Sequence, residues 1–105
     1  MKEIKAVIQP YRLRTLRNAF RRMAGFPGMS VWRVEGCSSH EGEEVHDSLR
    51  CELTDFSHKV RIEILAEENQ VEEIIRIIYE NTHSGRLGDG IVWVTPVEQA
   101  RRLSE

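Results

Sequence analysis

The sequence predicts one small α+β domain with elements in the order β-α-β-β-α-β. Three observations predict it. Two stretches carry apolar residues at helical spacing, four short stretches read as strands, and the strands fall around the helices in that order. The chain has 105 residues, enough for one domain. Forty per cent is apolar and 30% charged, the balance of a folded soluble chain.

The first strand is Lys2 to Gln9, short, apolar and closed by Pro10. It reads as buried on both faces. From Leu13 the apolar residues Leu13, Leu16, Phe20 and Met23 recur at steps of three and four, and Ala19 widens the stripe. The rest of that helix carries Arg12, Arg14, Arg17, Arg21 and Arg22, and Gly25, Pro27 and Gly28 end it. Met29 to Val34 is rich in valine and tryptophan and reads as a strand. From Glu35 to Cys51 the apolar pattern vanishes, which marks a functional loop or a disordered insertion.

Val60, Ile62 and Ile64 alternate with Arg61 and Glu63, a strand with one wetter face. Val71, Ile74, Ile75 and Ile78 give the second helix, whose outer face holds Glu68, Glu72, Glu73 and Glu80. Gly85 to Gly90 is a turn-rich loop, and Ile91 to Val94 a last strand before Pro96. This order is the ferredoxin-like βαββαβ sandwich, an antiparallel sheet with both helices on one face. The other face stays open, and Trp32 and Trp93 are expected to line it and to invite a partner subunit.

Charge and composition narrow the function classes. Fifteen Lys+Arg against 17 Asp+Glu give a net charge of −2, which disfavours a dedicated nucleic-acid binder. No apolar run has the roughly 20 residues that span a bilayer, and MKEIKAVIQP lacks the core of a secretion signal. Two cysteines make no disulfide scaffold, so a reducing cytoplasmic setting is expected. A Cys37–Cys51 disulfide across the loop base is the alternative.

Two segments offer chemistry. Ser84-Gly85-Arg86-Leu87-Gly88-Asp89-Gly90 lies between a helix and a strand. Its glycines can turn backbone amides toward one anion, and Arg86 adds charge, although Gly-Asp-Gly also serves plain turns. The long loop carries Cys37, His40, His46 and Cys51 among Glu41, Glu43, Glu44 and Asp47. Cysteine and imidazole suit zinc or copper, so Cys37, His40 and His46 are candidate ligands, against the plainer reading of solvated side chains. The arginines of the first helix read as a solvated face or a basic patch. No nucleophile triad, carboxylate pair or Walker loop is legible, so no enzyme is expected.

Read together, these segments resemble the PII signalling family over nearly the whole chain. MKEIKAVIQPYRL is similar to its first strand and helix entry, Gly28-Met29-Ser30-Val31 to its second strand, and Lys59-Val60-Arg61-Ile62-Glu63-Ile64 to its third. Ser84 to Gly90 resembles its B-loop, and the one evident length change before the tail is an extra residue near Phe26-Pro27. The resemblance implies a homotrimer with ATP or ADP in clefts between subunits, a B-loop over 84–91, and a T-loop over 37–56 that docks on a partner protein such as a membrane transporter.

Carried over residue by residue, it places Lys59 by the phosphates and Glu63 at the adenine-ribose side. Ser38, Ser84, Gly85, Arg86, Gly88, Asp89 and Gly90 surround the nucleotide, and Arg102 reaches it from a neighbouring subunit. His40, Glu43, Glu44, His46 and Arg50 would face the partner. Departures are informative. Ile91 stands where a phosphate-contacting lysine is common, Ser104 where a second arginine is expected, His40 for a glutamine, Ser38 for a glycine and Glu52 for the uridylylated tyrosine. They favour ADP or AMP over ATP, and disfavour 2-oxoglutarate sensing and tyrosine uridylylation. Such divergent members resemble those tied to bicarbonate handling or metal efflux, and Gly25 to Gly28 leans toward the metal-associated type. The competing hypothesis is a metal-binding trimer in a CutA-like role, with ligands from the Cys/His loop.

Overall fold

A computed structural model describes residues 1–37 and 56–105. The strands are β1 (Lys2–Ile8), β2 (Ser30–Gly36), β3 (Ser57–Ala66) and β4 (Gly90–Pro96). The helices are α1 (Leu13–Arg21) and α2 (Val71–Thr82), each entered through a 3-10 turn, Pro10–Arg12 and Glu68–Gln70. The sheet order is β2-β3-β1-β4 with every neighbour antiparallel. β1 and β2 flank β3, so each helix crosses over one intervening strand. This is the ferredoxin-like α+β sandwich expected from the element order.

Alternation within the strands decides which face is covered. Ile4, Ala6 and Ile8 of β1 and Val60, Ile62, Ile64 and Ala66 of β3 are buried under the helices. Leu16, Ala19, Phe20 and Met23 on α1 and Ile74, Ile77 and Ile78 on α2 close over them. The Phe20 and Phe26 rings stack at 4.3 Å, which seals the end of α1. Glu67 and Gln70 form a reciprocal capping box before α2. Gln70 also donates to the Gly25 carbonyl at 2.8 Å and ties the start of α2 to the turn after α1.

β1 corrects one expectation. It is buried on one face only, with Glu3, Lys5 and Val7 turned to the open side and half-buried. Register places Trp32 beside Arg61, and Glu63 between Ser30 and Lys5, on that side. Trp93 pairs with Lys5 and Ile91 with Val7, so both tryptophans line the open face as expected. Two ion pairs occupy it, Glu3–Lys5 at 3.3 Å and Arg61–Glu63 at 3.0 Å.

Candidate functional site: a glycine loop at one sheet end and a tail cavity at the other

The loop over 84–91 leaves α2 and re-enters the sheet beside the end of β1, where Gly90 pairs with Ile8. Glycine is required there. Gly90 has φ +117°, and a Cβ on it would fall on the Val7 carbonyl oxygen. Gly85 and Gly88 also sit at positive φ, +80° and +91°.

Asp89 organises the loop from within. Its carboxylate accepts the Ser84 hydroxyl, the Ser84 N–H at 2.7 Å and the Gly85 N–H at 2.9 Å. These bonds, the Ser84 hydroxyl first, hold the Asp89 carboxyl down at about 2, against the ordinary 3.8. The expected anion nest is therefore partly filled by the chain's own carboxylate. The Ser84 and Gly85 amides face Asp89, and a bound anion would draw on the rest of the loop.

Lys59 meets the loop from β3. Its Nζ donates to the Gly88 carbonyl at 3.0 Å. Gln9, the residue after β1, donates to the same oxygen at 2.6 Å. Gly88 thus brings together one donor from β3 and one from the residue that follows β1. Gln9 was not legible as a site residue, because a polar residue before proline has no distinctive pattern. Arg86 is exposed at the loop's rim.

Glu63 and Arg102 lie elsewhere. They line an open cavity of about 380 Å³ with Gly28, Met29, Ser30 and Leu65. Arg102 is anchored by donating to the Pro27 carbonyl at 3.1 Å. The tail reaches this place because the Val97 N–H bonds the Met1 carbonyl, turning the chain back past the start of β1. Gly28, Met29, Ser30 and Leu65 were missed as lining residues. The strand register that sets Ser30 opposite Glu63 was the signal that would have found Ser30.

The two groups sit at opposite ends of the sheet. Gly88 lies by the C-terminal end of β1 and Arg102 by its N-terminal side. β1 has seven residues, a span of roughly 20 Å. Lys59 and Glu63 share the open face of β3.

Among the loop residues, Ser38, His40, Glu43, Glu44, His46 and Arg50 lie outside the described residues, as does Glu52. Cys37 is disulfide-bonded, which corrects both its place as a metal ligand and the expectation of a reduced cysteine. A sulfur held in a disulfide is not the thiolate that zinc takes. No cluster of three or more metal-ligating side chains occurs among the described residues. Among them, no helix is long and apolar enough to cross a membrane.

The fold is a ferredoxin-like α+β sandwich with a glycine loop at one end of its sheet and a tail-lined cavity at the other. Residues 1–105 match the family described as nitrogen regulatory protein P-II. The chain is 36% identical to the nitrogen regulatory protein P-II of Azospirillum brasilense, across 98% of this chain and 91% of that protein. It is 33% identical to the namesake from Cereibacter sphaeroides and 34% to that from Pasteurella multocida, with the same coverage. The chain belongs to the nitrogen regulatory protein P-II family, and its role is that of a signal-transduction regulator.

Proposed function

We propose that the chain acts as a trimeric PII-type sensor that binds an adenine nucleotide, ADP or AMP in preference to ATP, between subunits. The segment over 37–56 then acts on a partner protein such as a transporter. The observation that carries this reading is the separation of the two half-sites. The Lys59–Gly88 corner and the Glu63–Arg102 cavity lie at opposite ends of one sheet, and one small ligand touching both takes two chains.

The phosphate side supports the nucleotide. Lys59 rests on a backbone carbonyl, a partner it can exchange for a phosphate oxygen. A charged hydrogen bond contributes about 1.5–3 kcal/mol, so that exchange is close to balanced and phosphate charge tips it. Gln9 keeps its own bond to Gly88 when Lys59 leaves, so the loop stays in place. Ile91 is 62% exposed beside this corner and offers no charge. A third phosphate therefore gains little there, which favours the shorter nucleotides.

Calorimetry with AMP, ADP and ATP, each with and without magnesium, tests the reading. ADP or AMP is expected to bind more tightly than ATP without the metal, and Lys59→Ala to weaken every nucleotide. Tenfold tighter ATP in both conditions would overturn the preference. Absence of binding by all three at millimolar concentration would overturn the nucleotide site itself.

A further inference from the structure

The outer face of α1 breaks the rules that its partner helix obeys. Between Glu3 and Glu35 the sequence has no carboxylate side chain, yet it holds Lys5, Arg12, Arg14, Arg17, Arg21, Arg22 and Arg33. Arg14, Arg17 and Arg21 recur at i, i+3 and i+7, which places them on one stripe. All three are exposed, on the side of the helix away from the core residues Leu16, Ala19, Phe20 and Met23. No ion pair among the described residues includes any of them.

This arrangement costs stability. The first turn of α1 has no acidic residue, and Arg14 stands there against the positive end of the helix dipole. Arg14–Arg17 and Arg17–Arg21 are like-charge neighbours at i,i+3 and i,i+4. On α2, Glu72 and Glu73 occupy the first turn, and Arg76 pairs with Glu73 and Glu80. One helix has its carboxylates at the favourable end and its arginine in ion pairs, and the other is left with arginines alone. A local conflict of this kind, with no compensation inside the fold, points to a role outside it.

We infer that the Arg14–Arg17–Arg21 stripe is a docking surface for an acidic segment of a partner protein. Arginine forks grip carboxylates in bidentate pairs, and the stripe spans about 10 Å, two helical turns. A narrow acidic helix or strand fits that length. A flat polyanion does not, because Glu72, Glu73 and Glu80 stand on the adjacent helix and would repel a lipid bilayer or a nucleic-acid duplex. A second copy of α2 is a poor occupant, since Arg76 already engages Glu73 and Glu80. The stripe lies on the helix layer, opposite the open sheet face, and stands independently of the nucleotide site.

The test uses the full chain and fluorescence anisotropy at physiological salt. The probe is a short alanine-based helical peptide with glutamates at i, i+3 and i+7, beside its glutamine twin. The glutamate peptide is expected to bind and the twin not to. Replacing the stripe together, Arg14→Gln, Arg17→Gln and Arg21→Gln, should weaken binding at least about tenfold. The same variant should melt no lower than the parent, because it removes repulsion. Arg→Lys at the three positions should restore binding only in part. Unchanged binding by the glutamine variant would overturn the proposal. So would tighter binding of phosphatidylglycerol vesicles or a DNA duplex through the same arginines. A peptide copying residues 41–47, Glu-Gly-Glu-Glu-Val-His-Asp, is a further arm. If it outcompetes the probe, the stripe serves the chain's own acidic stretch and the partner assignment falls.

Discussion

Asp89 fixes the shape of the glycine loop through charge. Its carboxyl is held at about 2 by hydrogen bonds to the charged form. The lowered value means that this contribution is complete above the ordinary value near 4 and is lost as pH falls toward 2. A carbon-detected titration of the Asp89 carboxyl should show a midpoint near 2. A midpoint near 3.8 would mean that the Ser84 and Gly85 bonds do not persist in solution. Ile91 gives the second prediction at this scale. It occupies an exposed position next to Gly90, at the corner where the proposed phosphates would sit. Ile91→Lys should tighten ATP about tenfold and leave AMP nearly unchanged, since one charged hydrogen bond is worth about 1.5–3 kcal/mol. Equal gains for both nucleotides would show that the side chain does not reach the terminal phosphate. The 84–90 loop was legible from its glycine spacing, and Lys59 only through the family resemblance. The internal use of the Ser84 and Gly85 amides was not, since nothing in Ser-Gly-Arg-Leu-Gly-Asp-Gly tells whether a carboxylate or a ligand will fill the turn.

The two helices show what periodicity settles and what it leaves open. Leu16, Ala19, Phe20 and Met23 lie on the covered side as their spacing predicts, although regular α1 ends at Arg21 and Met23 packs from the turn beyond. On α2, Ile77 is buried and Ile75 only half-buried, a small rotation of the apolar stripe from the one read in the sequence. A helix with isoleucines at four of five successive positions from Ile74 does not specify its own rotation, so packing against β1, β4 and α1 sets it. The strand β1 was misread for a related reason. Its two open-face charges, Glu3 and Lys5, neutralise each other, and a short apolar run looks alike whether one face or two are covered. Gln70 carries a testable load at this scale. It completes the capping box and bonds the Gly25 carbonyl, so Gln70→Ala should cost about 1–2 kcal/mol in chemical denaturation. No loss would mean that water replaces both bonds at no cost.

At the scale of the molecule the proposed trimer depends on the open sheet face. It mixes large apolar groups with charges: Trp32 is 47% exposed and Leu65 42%, beside the Arg61–Glu63 and Glu3–Lys5 pairs. The Arg61 Nε is shut off from solvent without a hydrogen-bond partner. A domain this small gains much of its remaining burial by covering such a face. Three copies with these faces turned inward would leave the helix layers, and the arginine stripe, on the outside. Light scattering at micromolar concentration should then give about three times the 12.2 kDa chain. Trp32→Glu places a third carboxylate on the face and should shift the mass toward one chain, with nucleotide affinity falling in parallel if the site spans two subunits. A Trp32→Glu variant that runs as a monomer yet binds ADP as the parent does would separate assembly from the ligand and place both half-sites within one chain's reach. A parent that runs as a monomer and binds no nucleotide would leave the Lys59–Gly88 corner as a structural latch, with the open face covered by some other protein.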